Sequence, residues 1–215
     1  MTNVNTLEKE LNKALDSLLE LNTNIFGRRS GDQQSVSRKR PHLLQKVLVA
    51  NRAEIAKRFF LALHEEGIPS VAVVTDVDRE QSWYEFADEI VFIGDRHNYS
   101  SIPVIIAAAQ LVGANAIYPG YGFLSESSEF VQGLGAISRR SGHEILFMGP
   151  DYKTMKQVGN KLNARALAAA HNIPLFESSQ VLSDRSKNLA RKEASRIGYP
   201  VMIKLASGGG GKGLY

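Results

Sequence analysis

Short apolar segments alternate with helix-like segments between residues 45 and 148, and this alternation limits the possible fold more than any other feature. Each apolar segment is nearly uniform in hydrophobicity, which is typical of strands that are buried on both faces. Because helical segments separate the strands, we expect a parallel sheet with helices on both faces. The predicted strands are residues 46–50, 71–74, 90–93, 116–118 and 145–148. The sequence therefore predicts an open α/β sheet.

Turns beyond the carboxyl ends of the strands are the places where such a sheet binds ligands. In the turn after residue 118, Gly122 and the glycine before Tyr121 would let the backbone approach a bound molecule, and Tyr121 offers a flat face and a hydroxyl. An ordinary tight turn with an aromatic plug is the alternative. After the first strand, Arg52 could hold a carboxylate or phosphate through two hydrogen bonds.

The segment before the first strand has two parts. The pattern at residues 6–22 predicts a helix with one apolar face, because apolar side chains recur at spacings of four and three. That face could bind a partner or a second copy, or it could dock on the chain's own globular body. Residues 27–41 are polar and basic, and we expect a flexible linker rather than a nucleic-acid site, because no aromatic residues are interleaved for base stacking. The apolar positions are Leu7, Leu11, Ala14, Leu18, Leu21 and Ile25.

After residue 150 the sequence predicts helices at 152–158, 161–171 and 184–197 and a strand at 201–204. Four consecutive glycines near residue 210 follow this strand and point to a phosphate site. Ordering glycine is costly, and a concave row of backbone N–H groups closing on an anion offsets that cost. Lys204 and Lys212 flank the row with positive charge, and Lys161 stands at a predicted helix start, where a cation is unfavourable unless it reaches an anion. A linker and ordinary surface lysines are the alternatives. The whole segment is Ser207, Gly208, Gly209, Gly210, Gly211, Lys212 and Gly213.

Composition excludes several classes of protein. The chain has no cysteine, which excludes disulfides, cysteine-based metal sites and thiol catalysis. No apolar run is long enough to cross a bilayer, and the first residues lack the layout of a secretory signal peptide. We therefore expect a cytoplasmic protein that binds neither membrane nor nucleic acid.

Several motifs occur together in the order and at the spacing found in one enzyme family. With the glycine-rich segment they closely resemble the N-terminal part of biotin carboxylase, the ATP-grasp component of biotin-dependent carboxylases, over residues 46–215. The resemblance implies a Rossmann-like (pre-ATP-grasp) domain at 46–150 and the incomplete start of an ATP-grasp domain at 151–215. It leaves the predicted N-terminal helix and linker at 1–45 unexplained. The motifs are residues 49–56, 118–126, 147–150, 159–161 and 198–204.

The resemblance implies an enzyme that carboxylates carrier-bound biotin with MgATP and bicarbonate through carboxyphosphate. Lys161 and Lys204 would contact the ATP phosphates, and residues 207–213 would form a lid over them. Tyr121 and Gly122 would face biotin and bicarbonate. The family's Mg²⁺ ligands and catalytic base lie downstream of residue 215, so no complete catalytic set and no metal ligand is expected here, and this chain alone is expected to be inactive.

The resemblance also implies partners: a biotin carboxyl carrier protein or domain, a carboxyltransferase component and a second copy of the enzyme. The final acyl acceptor is not indicated. Two alternatives stay open, namely another ATP-grasp ligase such as a carbamoyl-phosphate synthetase, and a non-catalytic assembly module that uses the N-terminal helix. Ala53 replaces a glycine that is usual in the family, and we expect little effect because the position looks helical.

Overall fold

The computed structural model describes residues 4–23, 44–182 and 187–204, which belong to two compact units, Met1–Tyr152 and Lys153–Tyr215. The predicted linker and the glycine-rich segment Ser207–Gly213 lie outside the described residues. The predictions made for them therefore stay predictions.

The first unit is built on a five-stranded parallel sheet with the strand order β3-β2-β1-β4-β5. In the centre of the sheet, Leu48 of β1 lies opposite Val71 of β2 and Ile117 of β4. This confirms the parallel α/β fold, and each of the five strands predicted between residues 46 and 148 has its counterpart. The strands are β1 (Val47–Val49), β2 (Ser70–Thr75), β3 (Glu89–Gly94), β4 (Ala116–Tyr118) and β5 (Leu146–Phe147).

Helices cover both faces of this sheet, and each face has its own apolar core. On one face, Phe60 and Leu63 of α2 pack with strand residues such as Val49. On the other, side chains of α1, α3 and α4 pack with the strand residues that point the opposite way, among them Leu48. Alternate side chains of a strand point to opposite faces, so uniformly apolar strands supply both cores. The helices are α1 (Val4–Asn22), α2 (Ala53–Glu65), α3 (Ile102–Leu111) and α4 (Ser128–Ser141).

The N-terminal helix α1 docks on the sheet of its own chain. Leu7, Leu11, Ala14 and Leu18 are buried in the core that α3 and β3 also line. On this face of the sheet α1 packs beside α3 and supplies helical cover for β3. The segment between β2 and β3 contains two short 3₁₀ helices, Asp76–Asp78 and Trp83–Phe86, and Trp83 packs on the opposite face with α2. The prediction of one apolar face is confirmed, and the structure favours docking over a partner role.

The C-terminal end of α1 differs from the predicted seam. Leu21 is exposed, and Asn22 is buried in its place. Asn22 Nδ2 donates to the Phe92 carbonyl at 3.0 Å, and the Phe92 N–H donates to Asn22 Oδ1, also at 3.0 Å. The position four residues after Leu18 faces the sheet, so the polar side chain follows the buried face and pairs with the backbone of the edge strand β3.

Ala53 does not have helical backbone geometry, contrary to the expectation from sequence. It is the first residue of α2, and its φ angle is +54°, in the left-handed region. A side chain in this region clashes with the backbone and costs roughly 1–2 kcal/mol relative to the right-handed conformation. Glycine would avoid that cost, so alanine at this position is less mild than predicted.

The second unit contains the helices α5 (Tyr152–Val158), α6 (Lys161–Ala170) and α7 (Lys187–Ile197). Asn160 caps α6, because its Oδ1 accepts the N–H groups of Leu162 and Asn163 at 3.0 and 3.1 Å. The predicted helices are confirmed over their described residues. The predicted strand at 201–204 is wrong for its first three residues, since Lys204 alone forms an isolated β-bridge there. A strand needs a partner to hold its backbone hydrogen bonds, and the described part of this unit contains no extended strand.

Candidate functional site

Two of the predicted turns meet at the carboxyl edge of the sheet, and Asn51 joins them. Asn51 follows β1 and is buried. Its Nδ2 donates to the carbonyls of Pro119 and Tyr121, both at 2.8 Å, and its Oδ1 accepts the Arg52 N–H at 2.8 Å. The side chain therefore fixes the turn after β4 to the end of β1. Sequence reasoning gave Asn51 no role, although a polar residue directly after a buried strand was a signal.

The turn after β4 depends on glycine in two different ways. Gly120 has a φ angle of +62°, and a Cβ atom there would lie 2.6 Å from Asn51 Nδ2 and 2.7 Å from Ile55 Cγ2. This glycine permits close packing within the chain. Gly122 has a φ angle of +72°, but a Cβ atom there would meet nothing within 4 Å. The backbone at Gly122 is therefore open to an approaching molecule.

Tyr121 lies between these glycines with 67% of its surface exposed. It is not a plug for the core, so the alternative of a tight turn filled by an aromatic side chain does not hold. The next residue, Phe123, has a φ angle of +46° and places its ring 5.0 Å from that of Tyr99. The turn thus presents one aromatic side chain outward and packs the next against the body of the unit.

A buried carboxylate, Asp78, lies beside this turn and is completely enclosed. Its Oδ1 accepts hydrogen bonds from Nε of Arg52, at 2.9 Å, and from Nη2 of the same guanidinium. Its Oδ2 lies 2.8 Å from the hydroxyls of both Thr75 and Tyr99. We call Arg52, Thr75, Asp78 and Tyr99 the Asp78 cluster. Arg52 was predicted to bind an anion, and the carboxylate that it binds in the structure belongs to its own chain.

The charges of the Asp78 cluster follow from burial and hydrogen bonding. Burial alone would raise the pKa of Asp78, but the hydrogen bonds from Arg52, Thr75 and Tyr99 outweigh it and hold that pKa below its usual value. Burial and the hydrogen bond to Asp78 raise the pKa of Tyr99. The hydrogen bond to Asp78 also raises the pKa of Arg52. The cluster is therefore a carboxylate, a guanidinium and a neutral phenol at neutral pH. Sequence reasoning missed it, because Asp78 lies in a polar loop segment with no sign of burial.

Lys161 and Lys204, the two lysines predicted to contact phosphates, lie in the second unit. Lys161 is the first residue of α6 and is partly buried, and Lys204 is exposed. Their roles stay predictions, as does the role of the lid segment Ser207–Gly213. Among the described residues, no group of three or more His, Asp or Glu side chains could hold a metal ion. None of the described helices is long and apolar enough to span a bilayer.

Two protein-family models match this chain. The family model described as "Biotin carboxylase, N-terminal domain" matches residues 43–155, which is more than half of the chain. The model described as "Carbamoyl-phosphate synthase L chain, ATP binding domain" matches residues 160–215. The two matches follow each other along the sequence, and the helix α1 precedes both.

Two curated relatives show how much of a longer protein is matched. Biotin carboxylase of Pseudomonas aeruginosa is 41% identical over 175 residues, which are 80% of this chain and 38% of that protein. The mitochondrial methylcrotonoyl-CoA carboxylase subunit alpha of Mus musculus is 39% identical over 174 residues, 80% of this chain and 23% of that protein. The chain thus spans 38% and 23% of the lengths of these two relatives.

Solved structures agree with the sequence matches. Biotin carboxylase of Campylobacter jejuni, in a complex titled as containing β,γ-ATP, is 36% identical with a TM-score of 0.70 over 80% of this chain and 38% of that one. The biotin carboxylase domain of Hydrogenobacter thermophilus 2-oxoglutarate carboxylase, titled as a complex with MgADP and bicarbonate, is 35% identical with a TM-score of 0.70 over 81% and 37%. Since the sheet, the turn held by Asn51 and the Asp78 cluster all lie within the matched residues, this chain belongs to the biotin carboxylase N-terminal domain family.

Proposed function

We propose that this chain is the N-terminal part of a biotin carboxylase, which uses MgATP and bicarbonate to carboxylate carrier-bound biotin through carboxyphosphate. The observation that carries the proposal is the succession of the two family matches, residues 43–155 and then 160–215, in one chain. Similarity to a biotin carboxylase described as an ATP complex, and to a biotin carboxylase domain described as a complex with MgADP and bicarbonate, supports the same proposal.

Tyr121 and Gly122 belong to the first unit, and Lys161 and Lys204 belong to the second. Tyr121 and Gly122 would face biotin and bicarbonate, and the exposure of Tyr121 and the open space at Gly122 support that role. Lys161, Lys204 and the segment Ser207–Gly213 would bind the ATP phosphates. A flexible glycine segment and two ammonium groups suit phosphate oxygens, which accept N–H donors and attract positive charge. The Mg²⁺ ligands and the general base would come from sequence outside residues 1–215.

The carrier protein, the carboxyltransferase component and a homo-oligomeric partner belong to the same proposal. They are supported by relatives whose names describe a carboxylase subunit or a pyruvate carboxylase. We also propose a domain boundary near residue 150 and a cytoplasmic location. The acyl acceptor stays open, because the relatives include carboxylases with different names.

The test is ATP hydrolysis by the natural protein that carries this sequence. We expect phosphate release that requires bicarbonate and is stimulated by free biotin. Hydrolysis that biotin does not stimulate, but that an ammonia donor does, would instead support a carbamoyl-phosphate synthetase. The assembly-module alternative has lost its main support, because the apolar face of α1 is buried in the core of its own unit.

A further inference from the structure

We propose that Asp78 is a positioning residue for the turn that carries Tyr121 and Gly122. It would act through Arg52 and Tyr99 rather than by touching a substrate. The inference rests on the proposed function, since the turn matters to catalysis only if it faces biotin or bicarbonate.

The first route runs through aromatic packing. Tyr99 lies in the short 3₁₀ helix Arg96–Ser100 that follows β3. Its hydroxyl is 2.8 Å from Asp78 Oδ2, and its ring centroid is 5.0 Å from that of Phe123 in the turn. Tyr99 is buried, so its ring cannot shift without breaking a hydrogen bond to an enclosed charge. The hydroxyl of Tyr99 thereby fixes the surface against which Phe123 packs.

The second route runs through the end of β1. Asp78 accepts two hydrogen bonds from the guanidinium of Arg52, and the Arg52 N–H donates to Asn51 Oδ1 at 2.8 Å. The same Asn51 side chain holds the carbonyls on both sides of Gly120. A change in the position of Arg52 therefore moves the backbone that orients the Asn51 amide, and with it the carbonyl of Tyr121.

On its exposed side, the turn is held by a local backbone hydrogen bond from the Ser125 N–H to the Gly122 carbonyl, at 2.9 Å, which does not tie it to the body of the unit. Tyr121 is largely exposed, and a Cβ atom at Gly122 would meet no neighbour within 4 Å. Leu124 is buried in the core and anchors the end of the turn. The placement of Tyr121 and Gly122 therefore depends on Asn51 and Phe123, the two residues to which the Asp78 cluster connects. Asp78 accepts hydrogen bonds in both routes, and an enclosed polar group that loses such a bond costs free energy. We therefore expect one substitution at Asp78 to weaken both routes.

Backbone hydrogen exchange of residues 1–215 tests the placement directly. The Ser125 N–H donates to the Gly122 carbonyl at 2.9 Å, and the Arg52 N–H donates to Asn51 Oδ1 at 2.8 Å. We expect Asp78→Asn to raise the exchange rates of these two amides by about tenfold or more relative to those of β1 in the same variant. Asp76→Asn is the matched control, because Asp76 lies in the same 3₁₀ helix and its exposed carboxylate pairs with Arg79. Leu63→Ala destabilises the core on the opposite face and controls for a general loss of stability.

Tyr99→Phe is the milder variant if Asp78→Asn does not fold, because it removes one hydroxyl and keeps the ring on Phe123. It should raise the same two exchange rates, by a smaller factor. If the two amides exchange no faster relative to β1 in Asp78→Asn than in Leu63→Ala, the effect is one of stability alone and the proposal is overturned. Where only Tyr99→Phe folds, the same comparison is made between Tyr99→Phe and Leu63→Ala.

Kinetics of the natural protein separate this inference from the proposed function. We expect Asp78→Asn to raise the KM for free biotin or bicarbonate by roughly tenfold, the effect of losing about 1.4 kcal/mol of binding, while the KM for ATP stays unchanged. No biotin-stimulated hydrolysis in the unmodified protein would contradict the proposed function. An active protein whose Asp78→Asn variant keeps both KM values would contradict the positioning role alone.

Discussion

Ala53 is a single residue at which sequence and backbone geometry conflict. Its φ angle of +54° is one that glycine adopts without steric cost, so we expect Ala53→Gly to increase the free energy of unfolding by about 1 kcal/mol. Urea denaturation monitored by circular dichroism measures the change. Ala62→Gly, within the same helix α2, is the control and should lower stability by about 1 kcal/mol, because glycine disfavours a helix interior. A loss of stability in Ala53→Gly would contradict the left-handed geometry.

Asp78 should control how the fold responds to acid. Its pKa is lowered in the folded state, so the unfolded chain binds a proton more readily, and the resulting stability is present above about pH 4 and is lost as the pH falls further. We expect Asp78→Asn to be less stable than the unmodified chain by about 2–3 kcal/mol at pH 7 and to lose less stability between pH 5 and 3. Denaturant midpoints measured across this range give both values. An unchanged slope of stability against pH in the variant would contradict the role of this carboxylate.

Among the secondary-structure elements, α1 is the one for which the sequence left two roles open, docking on its own unit or binding a partner. Leu18 is 2% exposed in the core, so we expect Leu18→Ala to lower the free energy of unfolding by about 3 kcal/mol. Leu19 is 47% exposed in the same helix, and Leu19→Ala should change stability by less than about 0.5 kcal/mol. Urea titrations of both variants make the comparison. Equal, small effects would mean that α1 contributes little to its own unit and would revive the partner role.

The strands and long helices could be predicted because their signals are local. A run such as Val47–Val49 is apolar at every position, and together with the helical segments between such runs it indicates a strand of a covered parallel sheet. The Asp78 cluster and the Asn22 contact could not be predicted, because each joins residues far apart in sequence. The strand at 201–204 failed for a related reason, since a strand forms only where a neighbour pairs with it.

The sequence predicts the turn that carries Tyr121 and Gly122, but it does not predict the contacts that hold this turn in place. The turn with Tyr121 and Gly122 follows from glycine spacing after a strand, whereas Gly120 meets Asn51 only in the folded chain. The sequence likewise suggested a ligand for Arg52, which internal pairing with Asp78 supplies instead. Polar residues at strand ends thus indicate where ligands bind, but folding decides which of them remain available.

At the scale of the whole molecule, the question is what residues 1–215 can bind by themselves. Two lysines and a few loop N–H groups could contribute about 8 kcal/mol, since one charge-assisted hydrogen bond nets roughly 1.5–3 kcal/mol. Ordering four glycines opposes this by roughly 1–2 kcal/mol each. We therefore expect a Kd for MgATP weaker than about 1 mM, and no turnover, in isothermal titration calorimetry and a phosphate-release assay with this chain.

A Lys204→Ala variant is the control for the measurement of MgATP affinity. If the chain bound MgATP at micromolar concentrations, and the variant lost that affinity, the lysine role would be supported and the predicted weakness would be wrong. Micromolar binding that is unchanged in Lys204→Ala would contradict both the weakness and the proposed phosphate contact.

The amide of Asn22 has a consequence for how copies of this molecule behave at high concentration. It occupies both the N–H and the carbonyl of Phe92 on the outermost strand, the groups that another chain would need in order to add a strand there. The opposite margin of the sheet is only two residues long, which leaves little to pair with. The side chain of Asn22 thus blocks the addition of a strand from another chain at Phe92, and we expect Asn22→Ala to expose these backbone groups to such pairing.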